Sequence, residues 1–138
     1  MRSVVVESGA SGYVQTIAIG PHRLTADEPA VAGGADEGPN PPELLLAALG
    51  ACKGMTVRLY AERKQWPLRA VRVTLVRSRA EGAEQIDVTI SFVGELSEEQ
   101  RRRLLEIAEH CPVHRMLVSG VRIRSSLEVR EVPLLRRS

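Results

Sequence analysis

Two cysteines, Cys52 and Cys111, are the residues of this chain best suited to covalent chemistry. A thiolate is a nucleophile, a metal ligand and a reductant, and two thiols that meet can interconvert with a disulfide. From residue types alone three uses are open: inert core residues, metal ligands, or a redox pair. No CxxC or HExxH spacing occurs, and His22, His110 and His114 are scattered, so a zinc site finds little support. Cys52 lies three, four or seven residues from Leu45, Ala48, Leu49, Met55 and Leu59, a setting that suits a small buried hydrophobe. Cys111 differs: it precedes Pro112 at a predicted helix start, where free amide donors and the macrodipole favour a thiolate. The two are 59 residues apart, and spacing alone does not bring them together.

The charged candidates read more plainly. Glu43 sits three residues after Asn40, where a carboxylate completes a helix cap and complements the dipole. Arg101-Arg102-Arg103 has the look of a basic patch, but Glu98 and Glu99 stand four residues before Arg102 and Arg103, as on a solvated helix face. Arg136-Arg137 reads as a frayed tail.

The elements that must position these residues follow from pattern. Val4–Glu7 and Tyr13–Ile19 alternate around a Gly/Ser-rich turn, and His22–Asp27 reads as a third strand. Glu28–Pro39 holds three Gly and two Pro and is expected to be a loop. Asn40-Pro41-Pro42-Glu43 opens a long helix that Gln65-Trp66-Pro67 stops near Lys64. Its first half is apolar on nearly every side, which predicts a central buried helix. Leu68–Arg79 and Gln85–Val93 alternate about the turn Glu81–Glu84. Ser97-Glu98-Glu99-Gln100 is a capping box for a second helix to about His110, Pro112 begins a third, and Val121–Val129 closes the chain as a strand. The predicted class is α+β with mainly antiparallel sheet, as one domain over residues 1–138.

Composition narrows the function classes. The chain has 138 residues, 43% hydrophobic and 26% charged, enough to bury a core. A net charge of +2 and 3% aromatics argue against polyanionic partners and against base-stacking surfaces, so no nucleic-acid partner is expected. Met1–Ser8 carries no apolar run of signal-peptide length, and Leu44–Cys52 falls far below the ~20 residues of a membrane span. A cytoplasmic protein without a membrane partner is expected, and in that compartment a stable structural disulfide is disfavoured.

At Asn40–Cys52 (NPPELLLAALGAC) and Cys111–Leu117 (CPVHRML) the chain resembles the OsmC/Ohr family of thiol-dependent hydroperoxide reductases, with the same order of elements from about Tyr13 to Val129. The segment His22–Pro29 with Gly33-Gly34 is similar to the OsmC-like branch sometimes fused to hydrolase domains. The resemblance implies an OsmC-like fold, an intertwined homodimer with the long helices central, and the two cysteines adjacent near the subunit interface. It casts Cys52 as the peroxidatic residue and Cys111 as the resolving one, with an external thiol or dithiol as reductant. The implied role is reduction of organic hydroperoxides in oxidative or osmotic stress, with no cofactor and no metal.

The peroxidase branches pair an Arg with a Glu that directly follows Asn-Pro. Here Pro42 stands in that place and the carboxylate follows at Glu43, turned by ~100° around the helix. The loop Glu28–Pro39 contains no Arg, which leaves Arg23, or His22 beside it, as the candidate charge. A non-catalytic member of the fold, binding an apolar small molecule in the dimer cleft, is the alternative reading.

Overall fold

The computed structural model describes residues 1–135, so Arg136 and Arg137 lie outside the described residues. The chain divides into two compact units, Met1–Leu44 with the C-terminal segment from Arg124, and Leu45–Ile123.

The first unit is an antiparallel meander of β1 (Val4–Ser8), β2 (Gln15–Ile19) and β3 (His22–Ala26). Ile19 pairs with both Val4 and His22, so Gly20-Pro21 closes the second hairpin in two residues. After β3 the chain enters a loop that includes one 3-10 turn, Ala30–Ala32. Asp27 organises this loop. Its buried carboxylate accepts the amides of Glu28, Ala35 and Glu37 at 2.7, 3.2 and 3.0 Å, and its own amide donates to the Pro39 carbonyl at 3.1 Å. The wrapping is tight enough to demand glycine at two places. A Cβ at Gly34 would lie 1.9 Å from the Glu28 carbonyl oxygen, and one at Gly38 would lie 2.3 Å from that of Thr25.

Helix α1 spans Pro41–Lys64, 24 residues. Its N-terminus is a reciprocal cap: Asn40 Oδ1 accepts the Glu43 amide at 2.9 Å, and the Glu43 carboxylate accepts the Asn40 amide at 2.8 Å. At the other end the amides of Trp66 and Gln65 reach back to the carbonyls of Ala61 and Glu62, with Gln65 left-handed at φ 57°. That Schellman pattern, followed by Pro67, ends the helix where the sequence places its stop.

In the second unit β4 (Leu68–Ala80) and β5 (Ala83–Gly94) form a long hairpin whose partly buried positions alternate, Val71, Val73 and Leu75 facing the same way as Ile86, Val88, Ile90 and Phe92. Helix α2 (Glu98–Ala108) opens with the Ser97/Gln100 capping box, and α3 (Pro112–Ser119) follows after three residues, Glu109, His110 and Cys111. The core of the unit is Val57 and Ala61 of α1, Leu68, and Leu104 and Ala108 of α2. A Cβ at Gly50 would come 2.8 Å from a Leu75 methyl, so glycine lets α1 lie close on the hairpin.

Three expectations need correction. Helix α1 is not buried all round: Leu49, Gly50, Lys53, Val57 and Ala61 form one buried stripe, while Leu45, Met55 and Leu59 are exposed. A two-stranded hairpin and two short helices cover only one side of it. Although its longest unbroken apolar run is short, α1 as a whole also has the length and composition of a membrane-crossing helix, which the sequence reading did not anticipate. Second, Val121–Val129 is not a strand. Its alternation is intact, but no neighbouring edge among the described residues accepts it, and Val121, Ile123, Leu127 and Val129 are exposed. Third, Arg102 and Arg103 keep the expected solvated face, but the ion pairs differ and Arg101 is half-buried. Arg101 donates to the Phe92 and Gly94 carbonyls, and Arg103 to Tyr60 Oη at 3.1 Å and Glu106 at 2.9 Å, instead of the expected pairs with Glu98 and Glu99.

Candidate functional site

The two cysteines are brought together within the second unit. Cys52 is partly buried on α1, on the side that carries Leu45, Met55 and Leu59, and Cys111 is fully buried at the start of α3. Both are free thiols. The Cys52 thiol neighbours Cys111 and opposes its ionisation.

Local structure holds Cys111. It is the N-cap of α3: its sulfur accepts the His114 amide at 3.3 Å, its carbonyl accepts the Arg115 amide at 3.2 Å, and Pro112 at the first helical position sacrifices no donor. A helix start was expected to favour the thiolate. Burial outweighs it and pushes the Cys111 thiol above its ordinary range; the His114 amide pulls down, Cys52 adds to the rise, and the charge of Lys53 pulls down last.

Lys53, which sequence reading passed over, is the unexpected member of this cluster. Its residue exposure is 1%, although it follows Cys52 directly in the middle of an apolar helix. Taking an ammonium out of water costs roughly several kcal/mol unless its protons find acceptors. Here Nζ donates to the Ala108 carbonyl at the end of α2 at 3.0 Å, and lies 2.9 Å from His114 Nδ1. Glu109 stands 4.0 Å from Nζ and 3.5 Å from His114 Nε2. The His114 ring thus bridges the two, Nδ1 towards Lys53 and Nε2 towards Glu109. The result is a lysine, an imidazole and a glutamate in line, running from the buried Lys53 to the exposed Glu109. One signal was available: the chain contains 17 Arg but only two Lys, and one of the two interrupts the apolar part of α1.

The other candidates belong to the first unit and serve their own backbone there. Arg23, on β3, donates to the Gly20 and His22 carbonyls at 3.0 and 3.1 Å. His22 is exposed at the start of the same strand, and Glu43 completes the α1 cap. No group of three His, Cys, Asp or Glu side chains among the described residues is arranged to hold a metal ion. What the cluster can do chemically is thiol chemistry: two neighbouring free thiols, with Lys53 acting on Cys111.

A family model described as "OsmC-like protein" matches residues 33–126, a span that includes both cysteines and Lys53. Among solved structures, an OsmC-like protein from Mycoplasma pneumoniae superposes with a TM-score of 0.73 at 19% identity, covering 86% of this chain and 87% of that one. An organic hydroperoxide resistance protein OsmC from Legionella pneumophila gives 0.60 at 20% identity, covering 85% and 88%. The organic hydroperoxide resistance protein OhrB of Bacillus subtilis gives 0.56 at 23% identity, covering 83% and 88%. These likenesses show the α+β fold with its antiparallel sheets and long helix. No curated protein matches the chain.

Proposed function

Because the chain belongs to the OsmC-like protein family, we propose that it is a thiol-dependent peroxidase that reduces organic hydroperoxides. The observation that carries this reading is the meeting of Cys52 and Cys111 beside a buried ammonium. The names of the Legionella and Bacillus proteins point the same way.

The chemistry balances with thiols alone. The Cys52 thiolate attacks the terminal oxygen of RO–OH, the O–O bond breaks, and the sulfur becomes a sulfenic acid while RO⁻ takes a proton from water. The Cys111 thiol then condenses with the sulfenic acid, forming the disulfide and releasing water. An external thiol or dithiol reduces that disulfide by exchange and is itself oxidised. Cys52 has the better access, being only partly buried, whereas Cys111 is wholly enclosed and suited to the second step.

The functional form in this reading is a homodimer. Leu45, Met55 and Leu59 expose the side of α1 that also carries Cys52, and the Val121–Val129 segment keeps strand alternation without a neighbour. A second copy would cover the first and pair the second, making an apolar pocket suited to an organic peroxide. A cytoplasmic location fits free thiols. Helix α1 is read as internal rather than spanning, since its central Lys53 is held by Ala108 and His114.

The test is consumption of cumene hydroperoxide with a dithiol reductant. Cys52→Ser is expected to fall to the uncatalysed rate, and a rate equal to wild type would overturn the reading. Sedimentation of the full chain at micromolar concentration should return a dimer; a monomer would remove the pocket. A second reading, a non-catalytic member that binds an apolar molecule in the dimer cleft, draws on Arg23 and Glu43 being occupied with local backbone. A co-purified ligand in native mass spectra, with both thiols inert to peroxide, would establish it.

A further inference from the structure

We infer that Lys53 and His114 are positioning residues for the second chemical step, holding Cys111 where it can close a disulfide with Cys52. This rests on the thiol-peroxidase reading and gives a part in it to two side chains outside the thiol pair. The starting point is a gap in the backbone bonding at the end of α2. In a continuing helix the carbonyl of Ala108 would accept the amide of residue 112, but that residue is Pro112 and has no amide to give. Ala108 is fully buried, away from water, and no backbone amide among the described residues donates to its carbonyl. Lys53 Nζ takes the missing amide's place at 3.0 Å.

The same Nζ meets His114 Nδ1 at 2.9 Å, and the His114 amide donates to Cys111 Sγ at 3.3 Å. Cys111 is therefore bracketed: the residue three before it and the residue three after it are both held by one side chain. That side chain belongs to the neighbour of Cys52 on α1, so the bracket ties the corner between α2 and α3 to the turn of α1 that carries the other thiol. Lys53 and Ala108 are both buried, and breaking their bond would leave a buried polar group without a partner, so the joint resists slipping. Glu109, 4.0 Å from Nζ and exposed, adds little to it. The consequence is kinetic. In closure the Cys111 sulfur attacks the sulfenic sulfur of Cys52, the S–O bond breaks, and the leaving hydroxide takes the Cys111 proton as water. The rate of such an internal attack depends steeply on approach, and a misplacement of about 1 Å can cost about a hundredfold. The first step, attack of Cys52 on the peroxide, asks nothing of the bracket.

The full chain, given one equivalent of cumene hydroperoxide and no reductant, separates the two steps. Peroxide loss reads the first, and dimedone trapping of sulfenic acid against disulfide, followed by intact mass, reads the second. Lys53→Met and His114→Leu should consume peroxide within about threefold of the wild-type rate, yet close the disulfide about tenfold or more slowly, with the dimedone adduct of Cys52 accumulating. His114→Asn, which sets a side-chain amide near the place of Nδ1, should recover part of the closure rate. Closure at the wild-type rate in a folded Lys53→Met or His114→Leu variant overturns the inference, and so does a first step slowed as much as the second. If Lys53→Met does not fold, the two His114 variants carry the test. If the wild type consumes no peroxide, the peroxidase reading fails, and diamide, which takes up both thiol hydrogens and leaves the disulfide, reads closure on its own. The same ordering of variants then supports the bracket, while equal rates or no closure in any of them overturn it.

Discussion

Among the described residues each unit buries one charged side chain, Asp27 in the first and Lys53 in the second, and the two are handled in opposite ways. Asp27 gives its carboxylate to three backbone amides of its own loop, all within ten residues. Lys53 gives its ammonium to partners 55 and 61 residues away, one a carbonyl and the other a titratable ring. Backbone amides neither ionise nor leave, so the Asp27 carboxylate is held below the usual carboxylate range, the Glu37 amide contributing most and burial opposing it. The Lys53 ammonium instead relies on one carbonyl and one side-chain ring, beyond which stands the exposed Glu109. A charge meant to hold a loop is enclosed by the chain's least changeable groups. The charge of Lys53 is held by one carbonyl and by a side chain that another sequence could replace.

The sharpest way to break this comparison is at Gly34. Gly34→Ala sets a methyl against the Glu28 carbonyl and is expected to cost ~2–4 kcal/mol, read as a urea midpoint. Peroxide reduction per folded molecule should be unchanged; a specific loss of activity would mean the Asp27 loop does more than hold shape. Next come the two edges of the pH-stability curve. Asp27 has a folded value below its unfolded one, so its contribution is present above about pH 4 and is lost as pH falls through the depressed folded value. Asp27→Asn should flatten the acid limb of stability between about pH 4 and 2, and an unchanged acid limb would refute the assignment. Cys111 has the reverse sign. Its folded value is raised, so its contribution is present below the unfolded value of about 8.5 and is lost as pH rises through the higher folded one. Cys111→Ala should therefore flatten the alkaline limb and leave the acid one alone, which chemical denaturation at pH 7 to 10 would check. The smallest effect belongs to Glu43→Ala, about 0.5–1 kcal/mol from the lost half of the α1 cap. Hydroperoxide reduction that falls tenfold or more in that variant would return Glu43 to the chemistry.

How much of this was legible in the sequence depends on the range of the forces involved. The start and stop of α1, the Ser97 capping box and the β4–β5 turn are local devices, written within four or five consecutive residues, and they stand where the spacing places them. The meeting of Cys52 with Cys111 was implied by family resemblance and not by spacing, because it depends on how α1, α2 and α3 pack. Lys53 was missed for the same reason. A lysine in an apolar helix reads locally as a mere interruption, and only the arrival of Ala108 and His114 from distant parts of the chain gives it meaning. Burial of α1 and pairing of Val121–Val129 failed in the other direction: the residue pattern suits both, but the described residues cover one side of α1 and offer Val121–Val129 no strand edge.

The loop around Asp27 has a further consequence for how this chain can change. Its conformation is written in one carboxylate, three glycines (Gly34, Gly38 and the left-handed Gly33) and the main chain, so the side chains of Val31, Ala35 and Glu37 contribute nothing to the hydrogen bonds that hold it. Asp36, left-handed at φ 54°, is the exception and tolerates few replacements. Substitutions at the three free positions would therefore alter the chemistry displayed by the loop while its backbone stays put. In evolutionary terms it is a site where variation is cheap, and for an engineer it is a ready place to graft a new recognition surface onto an unaltered frame.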